Sequence, residues 1–311
     1  MSNYAPILLF IYNRPHHLDQ TIEDLISCKG FNKHDLIVIG DGPKNNKDKD
    51  NVHEARRVAM NKLGTNVKYV FSDKNKGLAS SIISGVTEFI DIYGKAIIIE
   101  DDLRLHKNFL LYMNDALNFY HNNDLVYSIS GYAYKDMNEI VHDKPLFLPC
   151  ISTWGWGTWK HKWESFDFYC EGSEDLLADY KLKDRFNIDS VYPFSEMLAS
   201  QKKGEIESWG IRWYWTLFSN GKLCCYPKNS LVINDGYDNS ATNGRGWANN
   251  FSNKKEFSKN IRQTEFSNND VKVDEHYYKE VVKSLFELNG GYFGLIKDKI
   301  KKLYTNTISF R

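Results

Sequence analysis

The chain has 311 residues and is 42% hydrophobic, so it can form one large domain or two of moderate size. Its 40 basic and 40 acidic side chains cancel at neutral pH, which leaves no overall field for binding nucleic acid. No apolar stretch is long enough for a conventional transmembrane helix.

The N-terminus and the cysteines both indicate a cytoplasmic protein. The first residues lack the charged and apolar regions of a secretory signal. The five cysteines are scattered and show no zinc-ligand spacing. We therefore expect reduced, mostly buried thiols in a reducing compartment.

The first half of the chain alternates strand and helix patterns, which is typical of a parallel sheet with helical crossovers. The apolar runs predict strands at residues 6–11, 36–39, 67–71, 96–99 and 126–130. Helical periodicity predicts helices at residues 17–27, 75–92 and 107–120, and one that follows a charged loop at 44–50 and ends near residue 62.

The second half is less regular and contains all eight tryptophans, from Trp154 to Trp247. Residues 152–159 are rich in Gly and Trp and are predicted to form a loop that leads into a helix near 160–165. Another helix is expected at 195–201, and a flexible loop at 234–247.

The most informative segment is an apolar strand that runs directly into three carboxylates. Ala96–Ile99 lacks polar alternation, which indicates a strand covered on both faces. Glu100, Asp101 and Asp102 must then lie at its carboxyl end, where open α/β sheets bind ligands. Like charges this close repel one another unless a cation or a set of hydrogen-bond donors compensates them, and Mg²⁺ or Mn²⁺ holding a diphosphate would suit them. The alternative is a solvated acidic strand end followed by a helix cap.

Polar side chains also follow the other predicted strands, and a parallel sheet would bring them to the same edge. A nucleotide could be held there by a carboxylate on its base or ribose, an arginine and a metal on its diphosphate. Neither a GxGxxG nor a Walker A sequence is present. Each side chain could instead be a solvated loop residue. The positions are Asn13, Arg14, Asp41 and 73–76.

The tryptophans of the second half suggest a sugar site, because sugar rings pack their C–H faces on aromatic surfaces. The alternative is that most of them are core residues, since Trp buries a large apolar area. Gly155 and Gly157 favour a loop position for the first pair. The residues concerned are Trp154, Trp156, Trp209 and Trp213, interleaved with Glu207 and Arg212.

Glu207 is the candidate general base. If the segment is extended, Glu205 and Glu207 point to opposite sides, and Glu207 lies beside Trp209. A carboxylate in an aromatic pocket becomes more basic and can accept a proton in catalysis.

Several segments resemble known glycosyltransferases. PILLFIYNRP, IVIGDGPK, DKNKGLASSI and IIIEDDLRLHKNFL are similar to GT-A glycosyltransferases of the family 2-like kind. The EDD strand end is similar to the N-acetylglucosaminyltransferase I type. STWGWGTW and EIESWGIRWYW resemble bacterial enzymes of surface-polysaccharide assembly, such as O-antigen, capsule or lipooligosaccharide. The matching motifs span about residues 6 to 245.

This resemblance implies an α/β fold of GT-A type, with a mostly parallel, Rossmann-like sheet flanked by helices. Residues 1–130 would bind the nucleotide-sugar, 131–260 would hold the acceptor and the base, and 261–311 would be a helical extension. The implied activity is inverting, metal-dependent transfer of a sugar, a hexosyl or N-acetylhexosaminyl group, from a UDP-sugar to a saccharide acceptor.

The same resemblance assigns roles to individual residues. Asp41 would contact the uracil or ribose, and Arg14 would lie near the nucleotide. Asp101 would meet the ribose or sugar, and Asp102 would ligate Mn²⁺ or Mg²⁺. The remaining roles are the donor pocket for Lys76 and Gly77, the catalytic base for Glu207, and the sugar and acceptor sites for Trp154, Trp156, Trp209 and Arg212.

One departure concerns the metal. The loop from Asn234 resembles one that often ends in Thr-His, and here the last position is Asn243. Asparagine is a neutral and weaker ligand. Metal binding would then rest on Asp102, the diphosphate and water, or on Asp238.

The C-terminal segment 294–311 combines five basic residues with an apolar stripe. Such a helix could lie at the inner face of the plasma membrane and bring the enzyme to a lipid-linked acceptor. The alternative is a terminal helix that packs on its own domain. Two rival functions remain, a sugar nucleotidyltransferase and a non-catalytic glycan-binding protein.

Overall fold

In the computed structural model, a mixed eight-stranded sheet forms the centre of the protein. The structure describes residues 3–236, 256–259, 261–269 and 271–288. The strand order is β3-β2-β1-β4-β8-β6-β9-β7. The first four are parallel, and β6 and β9 run the same way, whereas β8 and β7 are antiparallel to their neighbours. The expected α/β architecture with a mostly parallel sheet flanked by helices is confirmed.

The strands are β1 Ile7–Ile11, β2 Leu36–Gly40, β3 Lys68–Phe71, β4 Lys95–Glu100, β5 Leu103–Leu105, β6 Val126–Ser130, β7 Leu146–Leu148, β8 Trp156–Trp159, β9 Leu223–Tyr226 and β10 Val232–Asn234. The helices are α1 Pro15–Ser27, α2 Asn46–Leu63, α3 Leu78–Tyr93, α4 Phe109–Phe119, α5 Lys160–Trp163, α6 Ser173–Ala178, α7 Tyr180–Phe186, α8 Phe194–Lys202, α9 Trp209–Ser219 and α10 Glu275–Leu288.

Strand β1 lies in the middle of the parallel part, between β2 and β4. All five of its residues are buried, because alternate side chains enter two different hydrophobic cores. Leu8 and Phe10 pack in the core that contains α3, and Ile7 and Leu9 pack in the core that contains α1. This confirms the interpretation of unbroken apolar runs as strands covered on both faces.

Strand β8 corrects the prediction of a loop over residues 152–159. Trp156–Trp159 is a buried strand that pairs with β4 and β6. Gly157 allows this close pairing, since a Cβ at this position would lie 2.9 Å from the Ala96 carbonyl oxygen. Trp156 and Trp159 enter opposite cores, so both tryptophans are structural anchors of the sheet.

The loop predicted at residues 44–50 ends earlier than expected, because α2 begins at Asn46. The Asn45 side chain accepts hydrogen bonds from the backbone N–H groups of Lys47 at 2.8 Å and Asp48 at 3.3 Å. This cap satisfies two donors of the first turn and starts the helix in a charged, Asn-rich segment.

A short second sheet and the last described helix complete the fold. Strand β10 pairs antiparallel with β5, and the Asp235 N–H donates to the Asp102 carbonyl oxygen at 2.9 Å. Helix α10 buries Tyr277, Val281 and Leu285 in the same core as α3. The rest of the predicted 234–247 loop, with Asp238 and Asn243, and the predicted tail at 294–311 lie outside the described residues.

All five cysteines are buried and free, as expected from their scatter. Among the described helices, none combines the length and the apolar composition needed to cross a membrane.

The Asn45 cap predicts a measurable stability effect. Asn45→Ala should lower the free energy of unfolding by about 1 kcal/mol, because two first-turn N–H groups lose their acceptor. Asn45→Asp keeps a side-chain oxygen there and should unfold close to the wild type in urea. Equal midpoints for the alanine variant and the wild type would contradict the capping role.

Candidate active site

A cavity of about 450 Å³ opens at the carboxyl ends of the neighbouring strands β1 and β4. Both halves of the chain contribute to its walls. Its charged lining residues are Arg14, Glu100, Asp101, Asp102 and Glu207, and its aromatic ones are Tyr12, Tyr132, Tyr134, Trp154, Tyr192, Phe194, Trp209 and Tyr214.

Asp101 is anchored to the end of β1. Its carboxylate accepts a hydrogen bond from the Tyr12 N–H at 2.7 Å, and its carbonyl oxygen accepts one from the Thr21 hydroxyl at 3.0 Å. The side chain is buried but still lines the cavity. These bonds hold the acidic turn in one position between β1 and α1.

Asp102 forms an ion pair with Arg14. The Arg14 Nη1 lies 2.8 Å from the Asp102 Oδ2, and the two side chains are only 10% and 19% exposed. Arg14 also donates to the Gly236 carbonyl oxygen at 3.2 Å. Any Cβ at position 236 would overlap the Asp102 carboxylate, so glycine is required where this backbone covers the ion pair.

The acidic turn has more negative charge than its surroundings neutralise. Burial raises the pKa of Glu100, Asp101 and Asp102, and repulsion from Asp102 raises the pKa of its two neighbours further. The Arg14 guanidinium lowers the pKa of all three but does not cancel the shift. A cation bound at the turn would relieve this repulsion.

These oxygen donors fit Mg²⁺ or Mn²⁺, which prefer carboxylate ligands. Within the described part of the chain, however, no group of three or more His, Cys, Asp or Glu side chains is arranged to hold a metal. A metal bound to Asp101 or Asp102 would therefore need further ligands, such as phosphate oxygens of a substrate or water.

Asp41 binds the loop before α3 and does not lie in the cavity, where a nucleotide contact was expected. Its carboxylate accepts hydrogen bonds from the backbone N–H groups of Gly42, Lys76 and Gly77 at 2.8–3.1 Å, and from the Asn75 side chain at 3.0 Å. It does not line the cavity. Because these donors occupy both oxygens, Asp41 holds the loop before α3 and is not free to contact a nucleotide.

Lys76 and Gly77 are likewise not among the residues that line the cavity. The Lys76 side chain is exposed. Gly77 has a φ of 81° and directly precedes α3, a conformation that favours glycine. Both residues use their backbone N–H groups to bind Asp41, so their position follows from that carboxylate.

Glu207 lies at the edge of the cavity, next to the beginning of α3. Its Oε1 accepts a hydrogen bond from the Ser80 hydroxyl at 3.3 Å. Glu207 is exposed in the described structure, so aromatic rings do not enclose its carboxylate as the sequence predicted. Glu205 accepts from the Ser200 hydroxyl at 2.9 Å and does not line the cavity.

The strand-like segment expected around Glu207 does not form: residues 206–208 belong to neither strand nor helix, and Ser208 itself is extended. Helix α9 begins at Trp209, and the Ser208 hydroxyl accepts the Ile211 N–H at 3.3 Å as its cap. The helix turns its first residues, Trp209 to Ile211, toward the cavity. Glu207 thus reaches the cavity because it precedes a helix, not because strand alternation points it there.

Two of the four expected acceptor residues line the cavity. Trp154 packs edge-on against Tyr132 with ring centroids 4.6 Å apart, and Trp209 stacks on Trp156 at 5.0 Å. Trp156 itself is 1% exposed and lies behind Trp209. The expected contact of Trp156 with a ligand is therefore corrected, since the sheet buries it.

Arg212 is also an interior residue. It is 5% exposed, and its guanidinium lies 4.2 Å from the centre of the Phe168 ring. It does not line the cavity, so the expected acceptor contact is corrected here as well. It lies one helical turn after Trp209 on α9, beside Phe168.

Sequence reasoning missed most of the aromatic wall. Tyr132 and Tyr134 follow β6, and Tyr192 and Phe194 lie around the start of α8. Leu285 comes from α10, far along the chain. Tyr12 adjoins Asn13 and Arg14, which the sequence already placed at this edge of the sheet, and could have been found from those neighbours, whereas no sequence signal links the others to the site.

Comparisons with known proteins give weak similarities. No protein-family model matches the sequence, and no curated protein does. The structure is similar to a mannosyltransferase from Pyrobaculum calidifontis solved with GDP-Man and Mn²⁺, with a TM-score of 0.39, 10% identity and 70% of each chain covered.

Two further solved structures are similar. Galactosyltransferase LgtC with donor and acceptor sugar analogues has a TM-score of 0.37 and 12% identity, over 71% of this chain and 72% of that one. A 4-diphosphocytidyl-2C-methyl-D-erythritol synthase from Anaerococcus prevotii has a TM-score of 0.32 and 12% identity, over 59% and 83%. Similarities this weak carry no argument about function, which has to rest on the cavity.

The Asp41 hydrogen bonds predict a large stability effect. Asp41→Asn should lower the free energy of unfolding by about 2 kcal/mol, because an NH₂ group then faces backbone donors that need an acceptor. Asp73→Asn, at an exposed carboxylate in the neighbouring loop, is the control and should leave the urea midpoint unchanged. A wild-type midpoint for Asp41→Asn would contradict the bonding described above.

Proposed function

We propose that this protein is a GT-A type glycosyltransferase that moves a sugar from a nucleotide-sugar donor to a saccharide acceptor. One observation carries the proposal: a single cavity is lined by the acidic turn with Arg14 and also by Glu207, Trp154 and Trp209. With a divalent cation bound, the turn would suit a diphosphate, and the aromatic side would suit a sugar. The two reacting groups would therefore meet in one place.

The donor diphosphate would lie at the acidic turn. Mn²⁺ or Mg²⁺ bound there would neutralise the charge that the leaving diphosphate gains. Asp102 is the proposed protein ligand, and Arg14, already paired with it at 2.8 Å, would hold a phosphate oxygen beside it. Asp101, fixed by the Tyr12 N–H, would face the donor ribose or sugar.

The nucleoside, which we propose to be uridine, would lie toward the loop before α3. Asp41 supports this role indirectly, because it fixes the backbone of Lys76 and Gly77. The exposed Lys76 side chain could then approach the nucleotide from that loop.

Glu207 is the proposed base for an inverting transfer. The acceptor hydroxyl would lose its proton to a Glu207 carboxylate oxygen and bond to the anomeric carbon from the face opposite the diphosphate. The bond between that carbon and the diphosphate oxygen would break with its electron pair. Ser80, which donates to Oε1, would keep the carboxylate directed at the cavity.

Two rival functions remain testable. A nucleotidyltransferase would need a Gly-rich basic loop after β1, whereas this loop is Tyr12-Asn13-Arg14. A binding module would need no acidic turn. Release of UDP from a UDP-sugar with Mn²⁺ present would argue against the binding module, and release of pyrophosphate from UTP and a sugar phosphate would argue for the nucleotidyltransferase.

The biological setting follows the sequence resemblance. We propose a role in bacterial surface-polysaccharide assembly at the cytoplasmic side of the membrane. A lipid-linked acceptor and membrane contact through residues 294–311 remain part of this hypothesis. Flotation of the full chain with anionic liposomes, against a chain ending near residue 290, would test the contact.

Glu207→Gln should reduce sugar transfer roughly 10²–10⁴-fold while donor binding stays unchanged, because the amide cannot accept the acceptor proton. Glu205→Gln removes an exposed carboxylate two residues away that lies outside the cavity, and it should transfer normally. Turnover of the Glu207 variant within a few-fold of the wild type would remove Glu207 from this role.

Asp102→Asn should weaken Mn²⁺-dependent binding of UDP by about tenfold or more, because a neutral amide is a poorer ligand and no longer pairs with Arg14. Titration calorimetry with and without Mn²⁺ measures this. Asp235→Asn is the control, since Asp235 is adjacent in space, pairs with Arg104 at 3.8 Å and does not line the cavity. Equal Mn²⁺ dependence in all three proteins would contradict the metal assignment.

A further inference from the structure

One part of the cavity is lined by uncharged, mostly apolar side chains. We call it the apolar compartment, and it consists of Tyr134, Ile151, Tyr192, Phe194, Met197 and Leu285. These residues come from the loops after β6 and β7, the start of α8, and α10. The five charged side chains that line the cavity come from other segments. Four follow or end strands β1 and β4, and the fifth is Glu207.

Two tyrosine hydroxyls of this wall are already engaged. The Tyr134 hydroxyl donates to the Ile151 carbonyl oxygen at 2.7 Å, and the Tyr214 hydroxyl donates to the Phe186 carbonyl oxygen at 2.9 Å. Burial raises the pKa of both tyrosines well above the ordinary value, so both stay protonated donors. Their rings, and not their hydroxyls, are left for an occupant.

The aromatic rings hold one another in place. Tyr192 and Phe194 lie 4.3 Å apart between ring centroids, and Phe194 packs edge-on against Tyr214 at 4.8 Å. A sugar hydroxyl moved from water onto these ring faces would lose hydrogen bonds, which is costly. An alkyl or aryl group would gain from leaving water.

The beginning of α9 lines the same cavity as the apolar compartment and the proposed base. Trp209 and Ile211 begin α9, two and four residues after Glu207, and both line the cavity. In the arrangement inferred below, an acceptor hydroxyl would reach Glu207, and the neighbouring group would lie against Tyr214 and Phe194, which line the same cavity.

We infer that the acceptor carries an alkyl or aryl group next to the sugar that receives the transfer, and that the apolar compartment binds this group. The identification of the occupant as part of an acceptor rests on the proposed function. The preference for an apolar group rests on the wall alone, so binding and transfer test the two ideas separately.

The experiment compares butyl with methyl glycosides of glucose, galactose and N-acetylglucosamine, using the full chain and titration calorimetry. Within at least one pair the butyl glycoside should bind about tenfold tighter or more, because three additional methylenes leave water. Equal affinities within every pair would overturn the inference, whatever the transfer assay shows.

Two methionine variants localise the effect. Met197→Gln places an amide in the compartment at nearly constant volume and should reduce the butyl preference several-fold, with methyl glycosides bound as before. Met60→Gln, at a 46% exposed site on α2, is the control and should keep the preference. A preference that survives Met197→Gln undiminished would also overturn the inference.

A transfer assay with UDP-sugars and Mn²⁺ separates this inference from the proposed function. Faster transfer to butyl than to methyl glycosides supports both. A butyl preference in binding without transfer to any glycoside leaves the apolar compartment supported and counts against the glycosyltransferase.

Discussion

The rest of the site depends on three carboxylates held at the end of a buried strand. Strand β4 has apolar residues on both faces, so Glu100, Asp101 and Asp102 can only emerge where it ends. Tyr12 and Arg14 meet them there because β1 is paired with β4 in parallel register. Partial burial keeps the mutual repulsion strong, and a single guanidinium does not remove it. This repulsion is why we propose that the turn binds a cation or a cation-bound phosphate.

A second polar anchor connects the sheet to the proposed base. Asp41 ends β2 by binding the N–H groups of Lys76 and Gly77, which sets the position of the start of α3. Ser80, in the first turn of that helix, donates to Glu207 from the second half of the chain. Asp41 therefore acts on the site through the backbone, and this explains how a residue outside the cavity can matter to it.

The cavity has two kinds of wall, one charged and one aromatic and aliphatic. The strand ends supply charge, and α8, α9 and α10 supply aromatic and aliphatic surface. Glu207 and Trp209 lie where the two walls meet, at the beginning of α9. We propose that these walls would separate the two substrates, with the donor diphosphate at the charged wall and the acceptor's apolar group at the other.

Local patterns in the sequence determined the buried strands of the first half, the helices between them and the position of the acidic turn, because unbroken apolar runs and helical periodicity reflect burial directly. The sequence also named Arg14, Glu207, Trp154 and Trp209 as candidate site residues, and all four line the cavity. The roles of Asp41, Trp156 and Arg212 were decided only by the tertiary structure. A carboxylate is free or saturated according to which backbone N–H groups another loop brings to it. A tryptophan or arginine contacts ligand or core according to the strand or helix face on which it lies, and that face depends on partners distant in sequence.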